Sequence, residues 1–461
     1  MRVFKLPDHS VREFSATQVI ALGFAAAIAV GTALLSLPAA TNGPGHAGFS
    51  EALFTSCSSV CVTGLTIVDT FSYWSFFGQL VILLLIQCGG LGIVALTTGV
   101  MLILGQRTSL RDRLVLESAF NLNSLNDLVP FLLRVVKGTF IAEAAGALCY
   151  MPVFVKGQGV RGVWNSIFLS VSAFCNCGMD TIGADSLKPY AGSIWINAVT
   201  MALVILGGIG FIVWWDILDV IGLVRRGDIP RRQCLRRLRL HTKLTLSMSV
   251  LLIIGGTIVI LAFEYTNPFT LGGMSFGKKL LAALFQSVTT RSAGFATISQ
   301  NALREPTIFV CMFLMFTGGS STGTAGGVKT TTIALTALSA AATANGSDDT
   351  VAFRRTVPQS TIKRANSVVL ISFLVLCFMT VIICACSGDR LIHAAFETTG
   401  AISTAGMTLD FTKELNAFGR AMILLCMYLG RIGPISLALV IDLRQKRRAL
   451  ARYAEENVTV G

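Results

Sequence analysis

Charge is what this 461-residue sequence has least of: Asp, Glu, Lys and Arg together make up 13% of it. Soluble domains carry about 25%. So sparse a charged surface excludes a soluble enzyme and a disordered chain. Histidine is scarcer still, at four residues. The twelve cysteines build no framework. Cys88, Cys149, Cys311, Cys377 and Cys426 lie in apolar stretches, and the pairs Cys175-x-Cys177 and Cys384-x-Cys386 lack zinc spacing and partner histidines. They read as small buried hydrophobes, which excludes a secreted disulfide scaffold. A cleavable signal peptide is not evident either. Residues 15–38 are too long and too continuously apolar for its hydrophobic region and read as a retained span.

What is present is apolar length. Hydrophobic residues make up 53% of the chain and mean hydropathy is +0.70, the composition of a polytopic membrane protein. Segments near 17–37, 73–104, 134–155, 192–222, 243–263, 307–343, 366–386 and 417–442 are each long enough to cross roughly 30 Å of hydrocarbon. The net charge is +13. Its basic residues gather at Arg2, Lys5 and Arg12; at Arg107, Arg111 and Arg113; from Arg225 to Lys243; from Arg354 to Arg364; and from Arg444 to Arg452. If every helix crosses once, all these clusters share one side, which the positive-inside rule makes cytoplasmic, with both termini. The basic linker has no interleaved aromatics, so topology accounts for it and nucleic acid is not read as a partner.

Between the helices of each pair lies a short semi-polar segment. Residues 52–65 read ALFTSCSSVCVTGL, 166–179 SIFLSVSAFCNCGM, 283–295 ALFQSVTTRSAGF and 394–407 AAFETTGAISTAGM. Each runs from a Phe through small polar residues to a Gly: Gly64, Gly178, Gly294 and Gly406, separated by 114, 116 and 112 residues. The third copy is one residue short between Phe and Gly. A second marker follows in step. Gly89-Gly90-Leu91-Gly92, Gly207-Gly208-Ile209-Gly210, Gly318-Gly319-Ser320-Ser321 and Gly430-Arg431-Ile432-Gly433 begin 25, 29, 24 and 24 residues after the respective Gly. Two markers in register four times define a fourfold repeat of helix, re-entrant half-helix with loop, and helix.

Re-entrant backbone inside a bilayer is tolerated only where protein buries it or where it lines a water-filled cavity. A half-helix of about ten residues leaves carbonyls unpaired at its C-terminal end and concentrates partial negative charge there. Four such ends aimed at one point attract a cation, and an extended loop beyond each replaces its water shell with peptide oxygens. The oxygens do this work, so side chains are free to vary: Val62-Thr63-Gly64, Asn176-Cys177-Gly178, Ser292-Ala293-Gly294 and Thr404-Ala405-Gly406. The glycine doublets read instead as close packing of the second helix of each repeat against its pore loop.

The strings SSVCVTGLTIVDT, SVTTRSAGFATIS, GGSSTGTAGGVKTTT and MYLGRIGP resemble the Trk/Ktr/HKT superfamily of potassium transporters over essentially the whole chain, and the Ktr branch in particular, since Trk subunits have two extra N-terminal helices. The resemblance implies an all-α membrane fold of four potassium-channel-like repeats arranged pseudo-fourfold around one pore. It also implies a homodimer and a cytoplasmic ring of nucleotide-binding regulatory subunits. Potassium is the substrate, no covalent cofactor is expected, and sodium as an activator stays open. Repeat two departs from the pattern, with Asn176-Cys177-Gly178-Met179 where the family usually shows Ala before the Gly and Phe after it. The division expected is an N-terminus at 1–16, repeat one at 17–113, repeat two at 114–224, a basic linker at 225–242, repeat three at 243–345, repeat four at 346–442 and a tail at 443–461.

Residues 317–332, TGGSSTGTAGGVKTTT, interrupt an apolar stretch about twice the usual length. A phosphate-binding loop needs Gly directly before Lys, and Val328 intervenes. The family resemblance implies an intramembrane gating loop here, built from Gly318, Gly319, Ser320, Ser321, Thr322, Gly323, Gly326, Gly327 and Lys329, with Arg431 pressed against it. Lys329, Arg431 and Glu143 are charges at membrane depth, functional candidates by default, although no role is assigned to Glu143. Asp69, Asp180 and Asp410 follow filter glycines closely and are expected at an outer vestibule, scattered surface acids being the alternative. Arg291, next to the third filter, is expected behind the loop, paired with Glu397. The competing function is a secondary cation symporter with a midplane site; it predicts inverted repeats, whereas two-span units share one orientation. A membrane enzyme needs a convergent His/Asp/Glu or Ser/His set within the spans, and none is found. Four filter-like loops argue against a non-transporting receptor.

Overall fold

The computed structural model describes residues 16–43, 45–92, 128–183, 185–347, 349–388 and 390–433. The basic clusters at the N-terminus and at 107–113, the C-terminal tail, and the far ends of the apolar stretches 73–104 and 417–442 lie outside the described residues.

One succession of helices recurs four times: long outer helix, short helix, inner helix. The first set is α1 (Ala16–Leu35), α2 (Phe49–Val60) and α3 (Phe76–Leu91). The second is α4 (Leu128–Gln158), α5 (Val160–Cys175) and α6 (Ile194–Ile209), continued by α7 (Phe211–Arg225). In the third, α8 (Leu240–Glu264), α9 (Phe276–Thr289) and α10 (Glu305–Phe316) are followed, after a loop, by α11 (Thr330–Ala344). The fourth is α12 (Gln359–Ser387), α13 (Leu391–Ile402) and α14 (Ala417–Ile432). Among the described residues, the four outer helices are each long and apolar enough to cross a membrane, and the bent pair α6 and α7 is so when taken together. On α8, Val250, Leu251, Ile254 and Ile258 are exposed, and on α12 Leu370, Phe373, Leu374, Phe378 and Val381. These apolar stripes suit lipid, not water.

The short helices are buried despite their hydroxyls, and in three of them one serine hydroxyl finds a backbone acceptor on the outer helix of its repeat. Ser56 donates to the Ile28 carbonyl (2.8 Å), Ser170 to that of Glu143 (2.6 Å) and Ser287 to that of Ile253 (2.9 Å). Three residues beyond each acceptor stands a glycine, Gly31, Gly146 or Gly256, where a Cβ would strike the serine oxygen. Bare backbone is thus what lets the outer helix close on the short one. Sequence reasoning passed over these glycines.

Inner helices begin at side-chain caps: Ser75 accepts from the Gly78 N–H (3.2 Å), Ser193 from Ile196 (3.4 Å) and Asn416 from Gly419 (2.7 Å). They stop early. α3, α6 and α14 have 16 residues each, about 24 Å at the α-helical rise, and end at Gly92, Gly210 and Gly433 with φ of 83°, 93° and 87°. Left-handed backbone is open to glycine and ends a helix. The expected continuous span 192–222 is therefore broken, its halves meeting at 97°. A break was anticipated in the third repeat alone, where it falls between Phe316 and Thr330.

Candidate functional site

The four glycines that end the short segments meet in a closed ring. A Cβ on Gly64 would land on the carbonyl oxygen of Cys177, on Gly178 against Ala293, on Gly294 against Ala405, and on Gly406 against Thr63. Each loop thus leans on the residue before the next glycine, in chain order, until the fourth returns to the first. Each glycine has positive φ: 87°, 85°, 78° and 68°. So does the residue two before it: Val62 (55°), Asn176 (60°), Ser292 (123°) and Thr404 (48°). The residue between does not. Alternating handedness turns successive carbonyls toward one side, the geometry needed for oxygens to line a path. Non-glycine residues held at positive φ are uncommon, and strain repeated four times at one place marks a functional site.

Each loop is tied to its short helix. The N–H of Thr63 donates to Ser58, that of Cys177 to Ser172 and that of Ala405 to Gly400, all at 2.8 Å and all closing over five residues. In the third loop Ala293 donates to Thr289 (2.8 Å), over four residues. The missing residue of that copy is absorbed there. Ser172 and Thr289 also donate through their hydroxyls to the carbonyls of Met179 (2.5 Å) and Phe295 (2.8 Å), just past the glycines.

The glycine doublets do the packing expected of them. A Cβ on Gly89, Gly207 or Gly430 would strike the carbonyl of Val60, Phe174 or Ile402, each four residues before its filter glycine. Gly318 differs: its Cβ would strike Gly326 in its own loop. Segment 317–329 is folded on itself, with Thr317 and Val328 bridged in parallel and Gly319 N–H donating to Gly326 (3.3 Å). Gly327, beside this closure, has a φ of 71°.

This loop touches three of the four filter strings on the side where the short helices end. Gly326 N–H donates to the Ser292 hydroxyl (3.0 Å), and a Cβ there would strike Thr404. The Thr324 hydroxyl lies 2.7 Å from the Asn176 side-chain amide and 3.0 Å from the Phe174 carbonyl. The loop is also held by the end of α6: Ser320 N–H donates to Gly208 (2.8 Å) and Thr324 N–H to Gly207 (3.1 Å). Arg431 supplies the fourth side. Its guanidinium donates to the Thr324 carbonyl (2.6 Å), to the Gly89 carbonyl and to the Gly90 carbonyl (3.4 Å), stapling the loop to the end of α3. Lys329 donates to the Ala325 carbonyl (2.8 Å) within the loop. Ser321 lies 3.5 Å from the Thr331 hydroxyl, and the Thr322 carbonyl accepts from Phe211 N–H (3.4 Å). Gly323 fits against the Gly207 and Gly208 carbonyls. The structure thus brings together the four glycine strings and the loop singled out by sequence. The contacts of Asn176, Thr324 and the carbonyls of Gly207 and Gly208 that join them were missed, because contacts 112 to 150 residues apart leave no local signal.

The acids are less uniform. Asp69 is spent on a turn, accepting from Ser72 N–H (3.0 Å) and hydroxyl (2.6 Å). Asp410 accepts from Asn301 (2.8 Å) and pairs with Lys413 (3.2 Å). Asp180 is buried and accepts from Ile182 N–H (3.2 Å). The pairing of Arg291 with Glu397 does not occur. Glu397 is fully enclosed in its own repeat by the hydroxyls of Thr408 and Thr412 (2.8 Å to the latter) and the N–H groups of Leu409 (3.2 Å) and Thr412 (3.4 Å). Four donors satisfy that carboxylate without a cation. Among the described residues, the Arg291 side chain donates to Ser249 alone (3.4 Å). Glu143 accepts from Gln87 (3.1 Å) and lies 3.7 Å from the Cys175 sulfur, bridging α3 to the end of α5. Among the described residues, no cluster of three or more His, Cys, Asp or Glu side chains that could hold a metal ion exists.

Comparison with known proteins gives the family and the overall fold. The family described as TrkH, cation transport protein, matches residues 14–448. The chain is 34% identical over 457 residues to the potassium/sodium uptake protein NtpJ of Enterococcus hirae, covering 98% of both. It is 33% identical over 449 residues to Ktr system potassium uptake protein B of Bacillus subtilis, covering 97% of both. The crystal structure of the potassium transporter TrkH from Vibrio parahaemolyticus superposes with a TM-score of 0.71 at 17% identity, over 95% of this chain and 86% of that one.

Proposed function

Because the chain belongs to the TrkH family of cation transport proteins, transporters and not enzymes, we propose that it takes up potassium across the cell membrane through the ring at Gly64, Gly178, Gly294 and Gly406. The observation that carries this reading is the cyclic contact of the four loops, each glycine against the carbonyl of the residue preceding the next. The four strings Val62–Gly64, Asn176–Gly178, Ser292–Gly294 and Thr404–Gly406 form the filter. Their oxygens replace the hydration shell of a monovalent ion, and the four short helices direct their negative ends at it. All four copies of the two-span unit share one orientation, which supports a pore over a symporter with inverted repeats.

The loop 317–329, with Lys329 and the Arg431 staple, is the gate: it bears on Asn176, Ser292 and Thr404 where an ion leaving the filter must pass. Two fixed positive charges there raise the barrier to a cation. Asp69, Asp180 and Asp410 line the outer mouth. The exposed arginines Arg225, Arg226, Arg231, Arg232, Arg236 and Arg237 mark the cytoplasmic side and face an acidic regulatory ring below a homodimer. The sodium in the name of the Enterococcus hirae relative makes a sodium-activated uptake the version to test. The experiment is potassium uptake, with and without sodium, by a strain lacking its own uptake systems. Growth at low potassium that depends on this protein is the expected result; no uptake by well-expressed protein in either condition overturns the reading.

A further inference from the structure

The inner helices α3 and α6 end alike. The last turn of one carries Gly89 and Gly90, that of the other Gly207 and Gly208. A helix concentrates partial negative charge at this end. Both ends lie against the filter loops, since the first glycine of each doublet rests on the carbonyl of Val60 or Phe174. What meets them is positive. The Gly207 and Gly208 carbonyls accept the gate-loop N–H groups of Thr324 (3.1 Å) and Ser320 (2.8 Å). The Gly89 and Gly90 carbonyls accept the Arg431 guanidinium, which also takes the Thr324 carbonyl (2.6 Å). In α14 the doublet reads Gly430-Arg431, so the arginine stands at the matching position of a third inner helix and reaches across to the end of the first.

Among the described residues no carboxylate pairs with Arg431, and peptide oxygens hold its full positive charge. Oxygens that hold a guanidinium in place of water attract a dehydrated monovalent cation for the same reason. The two cations differ in reach. The planar fork of arginine spans several oxygens at once and is tethered to the chain, whereas a transported ion moves on. With the loop closed the seat is taken: Thr324 supplies one of the three oxygens, and loop N–H groups cover the end of α6.

We propose that the ends of α3 and α6 form a second site for a monovalent cation, on the helix-end side of the filter. The closed gate fills it with the Arg431 guanidinium, and the transported ion takes it when loop 317–329 withdraws. The proposal rests on reading 317–329 as the gate and changes the part played by Arg431, which blocks by occupying an ion site and not by repulsion alone.

The test compares the full-length wild type with Arg431→Ala, in rubidium-soaked crystals and in rubidium flux into proteoliposomes. A second anomalous peak against the Gly89 and Gly90 carbonyls is expected in Arg431→Ala and not in wild type. Flux is expected to rise in Arg431→Ala. Millimolar guanidinium chloride is expected to lower it again by about twofold or more, as filling half of the site requires, and to leave wild type unchanged. The free guanidinium ion then does what the tethered one did. No peak at those carbonyls in Arg431→Ala, guanidinium without effect on its flux, or guanidinium lowering both proteins equally overturns the site. So does flux in Arg431→Ala no higher than wild type when deletion of residues 320–325 raises it. A poorly folded Arg431→Ala hands the test to Arg431→Gln, whose flux is expected to fall with guanidinium likewise; insensitivity overturns the site. Deletion of 320–325 without any gain in flux fails the gate reading itself, a result separate from the other outcomes.

Discussion

Around the four glycines the molecule repeats itself; around the loop that touches them from the helix-end side it does not. In the ring each repeat supplies the same backbone: positive φ at the glycine and two residues before it, with an N–H tied back to the short helix. Side chains there vary from Val to Asn to Ser to Thr. In the layer beneath, one repeat supplies a long loop, another an arginine staple, and a third a glycine doublet whose carbonyls hold the loop. Coordination of an ion on an axis requires equal oxygens from every side, which selects for identical backbone. A switch requires a part that moves against parts that stay, which selects for difference. The contrast supports the proposed division, with selectivity in the symmetric layer and gating in the asymmetric one.

That comparison breaks most visibly at the glycines. Gly64→Ala and Gly406→Ala each force a side chain onto a neighbouring backbone carbonyl at positive φ. Loss of potassium over sodium selectivity by at least about tenfold is expected, measured as competitive uptake. Gly294→Ala is the milder case, since its Cβ would lie 2.8 Å from Ala405; a smaller loss there sharpens the picture of a ring not equally tight on all sides. Next in size is the gate. Arg431→Gln removes three donors' worth of bonding to carbonyls, and roughly 1–3 kcal/mol of latch corresponds to a gain in rubidium flux of about fivefold or more. Unchanged or lower flux in well-expressed protein contradicts the gating role. Smaller again is Gly146→Ala, which pushes Ser170 off the Glu143 carbonyl. A drop in melting temperature without change of selectivity is expected, from the loss of a buried bond worth about 1 kcal/mol. Smallest is Asp410→Asn, because Lys413 already offsets that charge. A change in apparent potassium affinity of less than about twofold, shrinking further at high salt, is expected.

The symmetric layer is also the part that sequence made legible. Recurrence of Gly64, Gly178, Gly294 and Gly406 at near-equal spacing, with a second glycine marker in step, reveals a repeated unit because backbone constraint shows up directly as glycine. The asymmetric layer is legible in place but not in partners. Residues 317–332 stand out by composition, whereas their bonds to Asn176, Ser292 and Arg431 join segments far apart in the chain. The pairing of Arg291 with Glu397 fails for a local reason: Thr408 and Thr412 follow Glu397 in its own repeat and enclose it, so the carboxylate has no need of a distant cation. The break at Gly210 was missed because Gly207-Gly208-Ile209-Gly210 reads equally well as helix packing, and apolar residues continue on both sides of it.

The most direct measurement is anomalous scattering from rubidium-soaked crystals of the full-length protein. A rubidium peak on the axis between the carbonyl oxygens of Thr63, Cys177, Ala293 and Ala405 is the expected result. Rubidium absent from that axis, with the four glycine loops apart and no common passage between them, contradicts the claim that these loops jointly coordinate the transported ion.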